Sequence, residues 1–169
     1  TGKAEGQGTI QSPEGVFSAS APQLVYNNQS AGPVEIAGQI RNQHIEATAS
    51  LPAHGLHAKA SLPLSGPTRI RFDAQLRDTS LSALAIQGLD GRFSGSASGV
   101  YTDSLATAQA TGAITAFTGR WNKLPIRLPG PLRFHLAKGL ARVEPTRLEL
   151  GGSHVELSGV LPVEPAAAI

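Results

Sequence analysis

The 169-residue chain is 40% hydrophobic, enough for the core of one ordinary domain, and its net charge is only +2. It has no cysteine, which excludes disulfides, thiolate metal sites and a cysteine nucleophile. The cations lie scattered along polar strand faces, so no nucleic-acid patch is expected, and no run approaches the roughly 18 apolar residues of a membrane span.

Residues 1–15 are rich in Gly, Gln and Ser and predict a frayed edge with at most one strand. Val16 to Ala21 and Gln23 to Tyr26 read as two short strands broken by Pro22, which removes a ladder donor. Asn27, Asn28, Ser30 and Gly32 supply a polar turn. From Val34 to Arg77 apolar and polar residues alternate through three turns without losing phase, as half-buried strands require. The apolar sides hold Val34, Ile36, Gly38 and Ile40, then Ile45, Ala47, Ala49 and Leu51, then Leu56, Ala58, Ala60 and Leu62, then Ile70, Phe72, Ala74 and Leu76. Turn chemistry is suitable at Arg41-Asn42-Gln43, at Pro52-Ala53-His54-Gly55 and at residues 63–67.

At residues 78–85 the alternation fails, and Leu81, Leu84 and Ala85 at spacings of three and four predict one helical turn capped by Asp78, Thr79 or Ser80. Alternation returns with Phe93, Gly95, Ala97, Gly99 and Tyr101 sharing one face, the glycines suggesting a strongly curved strand. Ala108, Ala110, Gly112, Ile114 and Ala116 follow together, then Leu124, Ile126 and Leu128, then Leu132, Phe134 and Leu136. Leu148 and Leu150, then Val155, Leu157, Gly159 and Leu161, complete about nine strands, with Lys138-Gly139 and Gly151-Gly152 as turns. Residues 16–161 thus form one β domain, and 162–169 a disordered tail. Gly-Pro pairs at Gly32, Gly66 and Gly130, spaced 34 and 64 apart, suggest repeated units of an elongated array. The start at Thr1, with no signal or anchor, reads as a piece of something longer.

Catalytic patterns are missing. Gly95-Ser96-Ala97-Ser98-Gly99 has alanine where a nucleophile elbow needs serine, and no phosphate-cradling loop is present. His54 and His57 are too poorly placed for a metal pair, and Glu35, Glu46, Asp73, Glu149 and Glu156 fall on wet faces. The chain therefore reads as no enzyme, with no cofactor and no metal.

Leaving some 20 large apolar residues in water costs roughly 1.5 to 3 kcal/mol each, so their face must be covered. Two solutions remain open: the sheet closes on itself, as in a sandwich serving as a scaffolding or adhesion module of a secreted surface protein, or it forms a trough that an apolar ligand shields. The sparse aromatics and many interior Ala and Gly lean toward the trough.

Residues 90–117, with a Gly/Ser-alternating strand and a returning strand, and residues 130–163, with a strand, a Gly turn and the pair around Leu148-Glu149-Leu150-Gly151-Gly152-Ser153-His154-Val155-Glu156-Leu157, are similar to recurrent hairpins of TamB-type translocation and assembly module proteins and the broader AsmA-like superfamily. That resemblance implies an all-β, elongated, curved, mostly antiparallel amphipathic sheet forming a U-shaped groove. It implies a periplasmic conduit for phospholipid acyl chains between inner and outer membranes, supporting outer-membrane biogenesis. The inner-membrane anchor and the contact with a TamA-type barrel would lie outside this chain, and open sheet ends leave end-to-end pairing of two copies open. The expected groove residues are Ile36, Ile40, Ile45, Leu51, Leu56, Leu62, Ile70, Phe72, Leu76, Phe93, Ile114, Phe134, Leu136, Leu148, Leu150, Val155 and Leu157.

Overall fold

The computed structural model describes residues 1–9, 12–26, 29–81, 89–104 and 106–163. They form one antiparallel sheet of twelve strands: β1 (Gly2–Thr9), β2 (Ser12–Tyr26), β3 (Gln29–Arg41), β4 (His44–Leu51), β5 (Leu56–Pro63), β6 (Ile70–Ser80), β7 (Leu89–Tyr101), β8 (Gln109–Trp121), β9 (Leu124–Arg127), β10 (Leu132–Ala137), β11 (Leu140–Leu150) and β12 (Ser153–Pro162). Each strand pairs with the next in sequence up to β8. The strands β9 and β10 then share one lane between β8 and β11, separated by residues 128–131, where Pro129 and Pro131 have no N–H to donate. Twelve strands therefore make eleven lanes, with β1 at one edge and β12 at the other.

Short turns set the register. Asn42-Gln43, Asn122-Lys123, Lys138-Gly139 and Gly151-Gly152 each hold two consecutive residues at positive φ, the geometry whose twist matches a two-residue hairpin. Between β4 and β5, Pro52–His54 forms a single 3-10 turn that ends on Gly55 at φ 59°. The N–H of Gly55 donates to the Pro52 carbonyl at 3.1 Å, and the Gly55 carbonyl accepts from the N–H of Arg77 at 3.0 Å. A side chain on Gly55 would run into the Arg77 carbonyl oxygen, so position and conformation both demand glycine there.

Several expectations are corrected. Where at most one strand was expected in residues 1–15, β1 pairs with the start of β2 over its whole length, from Gly2 opposite Ala19 to Thr9 opposite Ser12, because an edge strand needs only backbone partners; residues 10 and 11 lie outside those described. Pro22 does not break β2; the strand runs through it, with the register shifting between Ala21 and Leu24, a bulge that tolerates the missing donor. The helical turn expected at 78–85 is not formed by its first residues. Asp78, at φ 51°, is the extra residue of a bulge in β6, Thr79 and Ser80 pair with Phe93 and Arg92, and residues 82–85 lie outside those described. The cap chemistry is used otherwise: the Asp78 carboxylate binds Arg92 at 2.6 Å. Asn27 and Asn28, and residues 164–169 of the expected tail, also lie outside the described residues; Pro162 belongs to β12. Of the Gly-Pro pairs, Gly32-Pro33 lies inside β3 rather than before a strand.

Among the described residues no second layer covers the sheet. A two-sheet core would bring large side chains to full burial, yet among the described residues none is below 2% exposed. The buried apolar residues are Leu81, Ala108 and Ile126, at 5%, 3% and 6% exposure, each near the end of a strand. The described residues thus form a single sheet without the full burial of a two-sheet core.

Candidate functional site: an uncovered apolar face

The ladder registers determine which side chains share a face. Ile40 opposes Ile45, which opposes Leu62; Ile70 opposes Tyr101. About 20 Å along the strands, six residues away on β4, Leu51 opposes Leu56, Leu56 opposes Leu76, Leu76 opposes Gly95, and Ile114 joins Gly95 to Leu132. These two rows, branched aliphatic except for Tyr101 and a gap at Gly95, form parallel ridges across the lanes.

Between the ridges run two rows of mostly small residues. One passes from Phe17 through Gly38, Ala47, Ala60, Phe72, Gly99, Ala110, Leu136 and Ala141 to Leu161. The other passes from Ala19 through Ile36, Ala49, Ala58, Ala74, Ala97, Gly112, Phe134 and Val143 to Gly159. From β4 to β7 this floor is Ala and Gly apart from Phe72. Each of three phenylalanines, Phe17, Phe72 and Phe134, opposes a glycine, and the rings of Phe17 and Phe134 lie over Gly38 and Gly112, in the space a Cβ would take.

All seventeen residues expected to line a groove lie on this one face. Phase is kept across bulges: Leu76 and Thr79 oppose Gly95 and Phe93, two positions apart on β7, and Val143 and Thr146 oppose Gly159 and Leu157. Leu148 opposes Val155, and Leu150 opposes Ile126. Expected sharing fails at Ala116. Thr115 is the extra residue of a bulge in β8, so Ala116 pairs with Ser94 on the wet side, and Phe117 joins the apolar face opposite Phe93. Sequence reasoning also passed over Phe17, although Phe17, Ala19 and Ala21 already alternate with Val16, Ser18 and Ser20.

Near the ends of the strands, the hydroxyl of Thr79, 5% exposed, donates to the His54 carbonyl at 2.5 Å and ties β6 to the β4–β5 turn. The opposite face is polar. Gln39 donates to Glu46 at 2.8 Å, Lys59 stands opposite Asp73, and Arg71, Thr48 and Ser61 join them around an open depression of about 700 Å³, with Val16 at its side. Its charges are largely matched across strands. His135 and Glu144 approach to 2.6 Å farther along. Among the described residues no three His, Asp or Glu side chains come together as a metal site, and no helix is long and apolar enough to cross a membrane.

The two faces thus differ: the polar one is solvated, with some of its charges facing opposite charges on neighbouring strands, whereas the apolar one presents hydrocarbon from lane to lane. No family model, curated protein or solved structure matches the chain.

Proposed function

We propose that the uncovered apolar face is a conduit for phospholipid acyl chains, within a larger protein of the TamB or AsmA-like kind that carries lipid between inner and outer membranes. The observation supporting this reading is the two-row floor of Ala and Gly between ridges of Ile and Leu, continuous from lane to lane and without a covering layer. A methyl-lined floor leaves room for a flexible chain, while the ridges bound it on two sides. Eleven lanes at about 4.8 Å span roughly 48 Å, and an acyl tail reaches about 15 Å, half of a bilayer core. Several tails fit end to end. Sliding costs little because a tail that leaves one lane meets an equally apolar lane ahead, so transfer needs no nucleotide, metal or catalytic group in this chain. On this reading the sheet curls around its cargo in the periplasm, and the membrane anchor and the contact with a TamA-type barrel belong to other segments.

The test is extraction and native mass spectrometry of the purified chain, with Phe72→Asp as the variant. Phospholipid should copurify with the parent chain. An unpaired carboxylate on the floor opposes hydrocarbon strongly, so the variant should hold at least tenfold less. A folded Phe72→Asp chain, verified by circular dichroism, that kept its full lipid load would overturn the reading.

A further inference from the structure

The cations that look scattered along the sequence are segregated once the acids are counted. Between Ser104 and Val143 there are six, Arg120, Lys123, Arg127, Arg133, Lys138 and Arg142, and no Asp or Glu, while the rest of the chain carries eight cations against twelve acids. Three of the six gather on the hairpin of β8 and β9. Its two-residue turn, Asn122-Lys123, has φ 46° and 75°, the geometry of a tight two-residue hairpin. Arg120 stands opposite Asp90 on β7, and Arg127 opposite Glu149 on β11; Lys123 lies in the turn, where no strand residue opposes it.

The same tip carries the chain's only tryptophan. Trp121 is 50% exposed and pairs directly with Leu124, 49% exposed, with Leu89 on its other side; Leu124 in turn rests 3.2 Å from where a side chain on Gly151 would begin. A half-exposed indole beside a half-exposed leucine at the end of a tight hairpin, with Lys123 in its turn and Arg120 and Arg127 on the other face of the same hairpin, has the chemistry of a lipid headgroup boundary. There the ring sits between hydrocarbon and water while Lys and Arg meet phosphates.

We propose that the tip of the β8–β9 hairpin docks on an anionic bilayer surface, with Trp121 and Leu124 entering the headgroup layer and Lys123, Arg120 and Arg127 facing lipid phosphates. Charge complementarity selects this occupant over a neutral membrane. The proposal is independent of the acyl conduit, since the tip lies beyond the floor and meets headgroups rather than tails.

The single tryptophan makes the test direct. The full chain is mixed with vesicles of phosphatidylcholine alone and of phosphatidylcholine with phosphatidylglycerol, and is followed by Trp121 emission and by flotation. Anionic vesicles should shift the emission to the blue and carry the protein upward, with binding weakened by added salt; neutral vesicles should do neither. Lys123→Gln should weaken flotation about fivefold, the worth of one cation at such a surface. Trp121→Ser should weaken it about tenfold or more. Both variants replace exposed side chains, and circular dichroism checks that they fold. No flotation of the folded parent chain on anionic vesicles would overturn the proposal, as would flotation insensitive to both substitutions. A blue shift with double-stranded DNA but not with vesicles would overturn it in favour of a nucleic-acid partner. Phe72→Asp separates the two proposals, because it should empty the floor and leave flotation unchanged.

Discussion

The lanes from β3 to β6 and those from β8 to β12 solve the same problem in different ways. In β4 and β5 the ladder runs without a slip from His44 opposite Pro63 to Leu51 opposite Leu56, and alternation alone decides which face each side chain takes. From β8 onward the ladder is repeatedly adjusted, by the extra Thr115, by the lane shared between β9 and β10, and by the shift in β11 between Val143 and Thr146. The floor changes in parallel, from Ala47, Ala49, Ala58 and Ala60 in the first region to Phe134, Leu136 and Val143 in the second. The lesson is that a face can be kept apolar either by strict period or by inserted residues that restore phase where the period is lost.

Single-residue deletions break this comparison most sharply. Removal of Thr48, in the middle of β4, leaves Ala49 and Leu51 on the wet side or forces the β4–β5 turn to slip, with an expected loss on the order of 3 kcal/mol or more. Removal of Thr115 lets Ile114 and Ala116 oppose Gly95 and Ser94 with no residue left over, and every face is kept; the expected change is about 1 kcal/mol or less. Urea titration of the two chains measures the contrast, and equal losses would mean that phase is not what the regular region depends on.

Gly55→Ala should cost on the order of 2 to 3 kcal/mol, since the residue combines a left-handed conformation with contact against the Arg77 carbonyl. Thr79→Val removes the hydroxyl that meets the His54 carbonyl and should cost about 1 kcal/mol in the same titration. Smallest is Arg92→Ala at the β6 bulge. Its ion pair with Asp78 has side chains 58% and 72% exposed, so about 0.5 kcal/mol or less is expected, fading with salt.

The apolar face was legible because its large residues resume their alternation after an irregularity, as Leu148 and Leu150 do after the shift between Val143 and Thr146. The bulges themselves were not legible, because nothing in the hydropathy of Thr115 marks it as the extra residue. Asp78-Thr79-Ser80 misled for a physical reason: residues that cap helices also tolerate positive φ and local hydrogen bonding, and here they serve a bulge. The many interior Ala and Gly were legible, but their alignment into two adjacent rows was not, since alternation within a strand does not fix the register between strands. Charge segregation is present in the sequence, but the positions of the cations show it only when set against those of the acids.

Among the described residues each lane of this ribbon is bonded only to the lanes beside it, and no strand joins β1 back to β12. Its stability is then a sum of neighbouring terms along one axis, closer to a zipper than to a globule. Hydrogen exchange should be graded, fastest in the outermost lanes and slowest in the middle, and pulling on an end should release strands one after another.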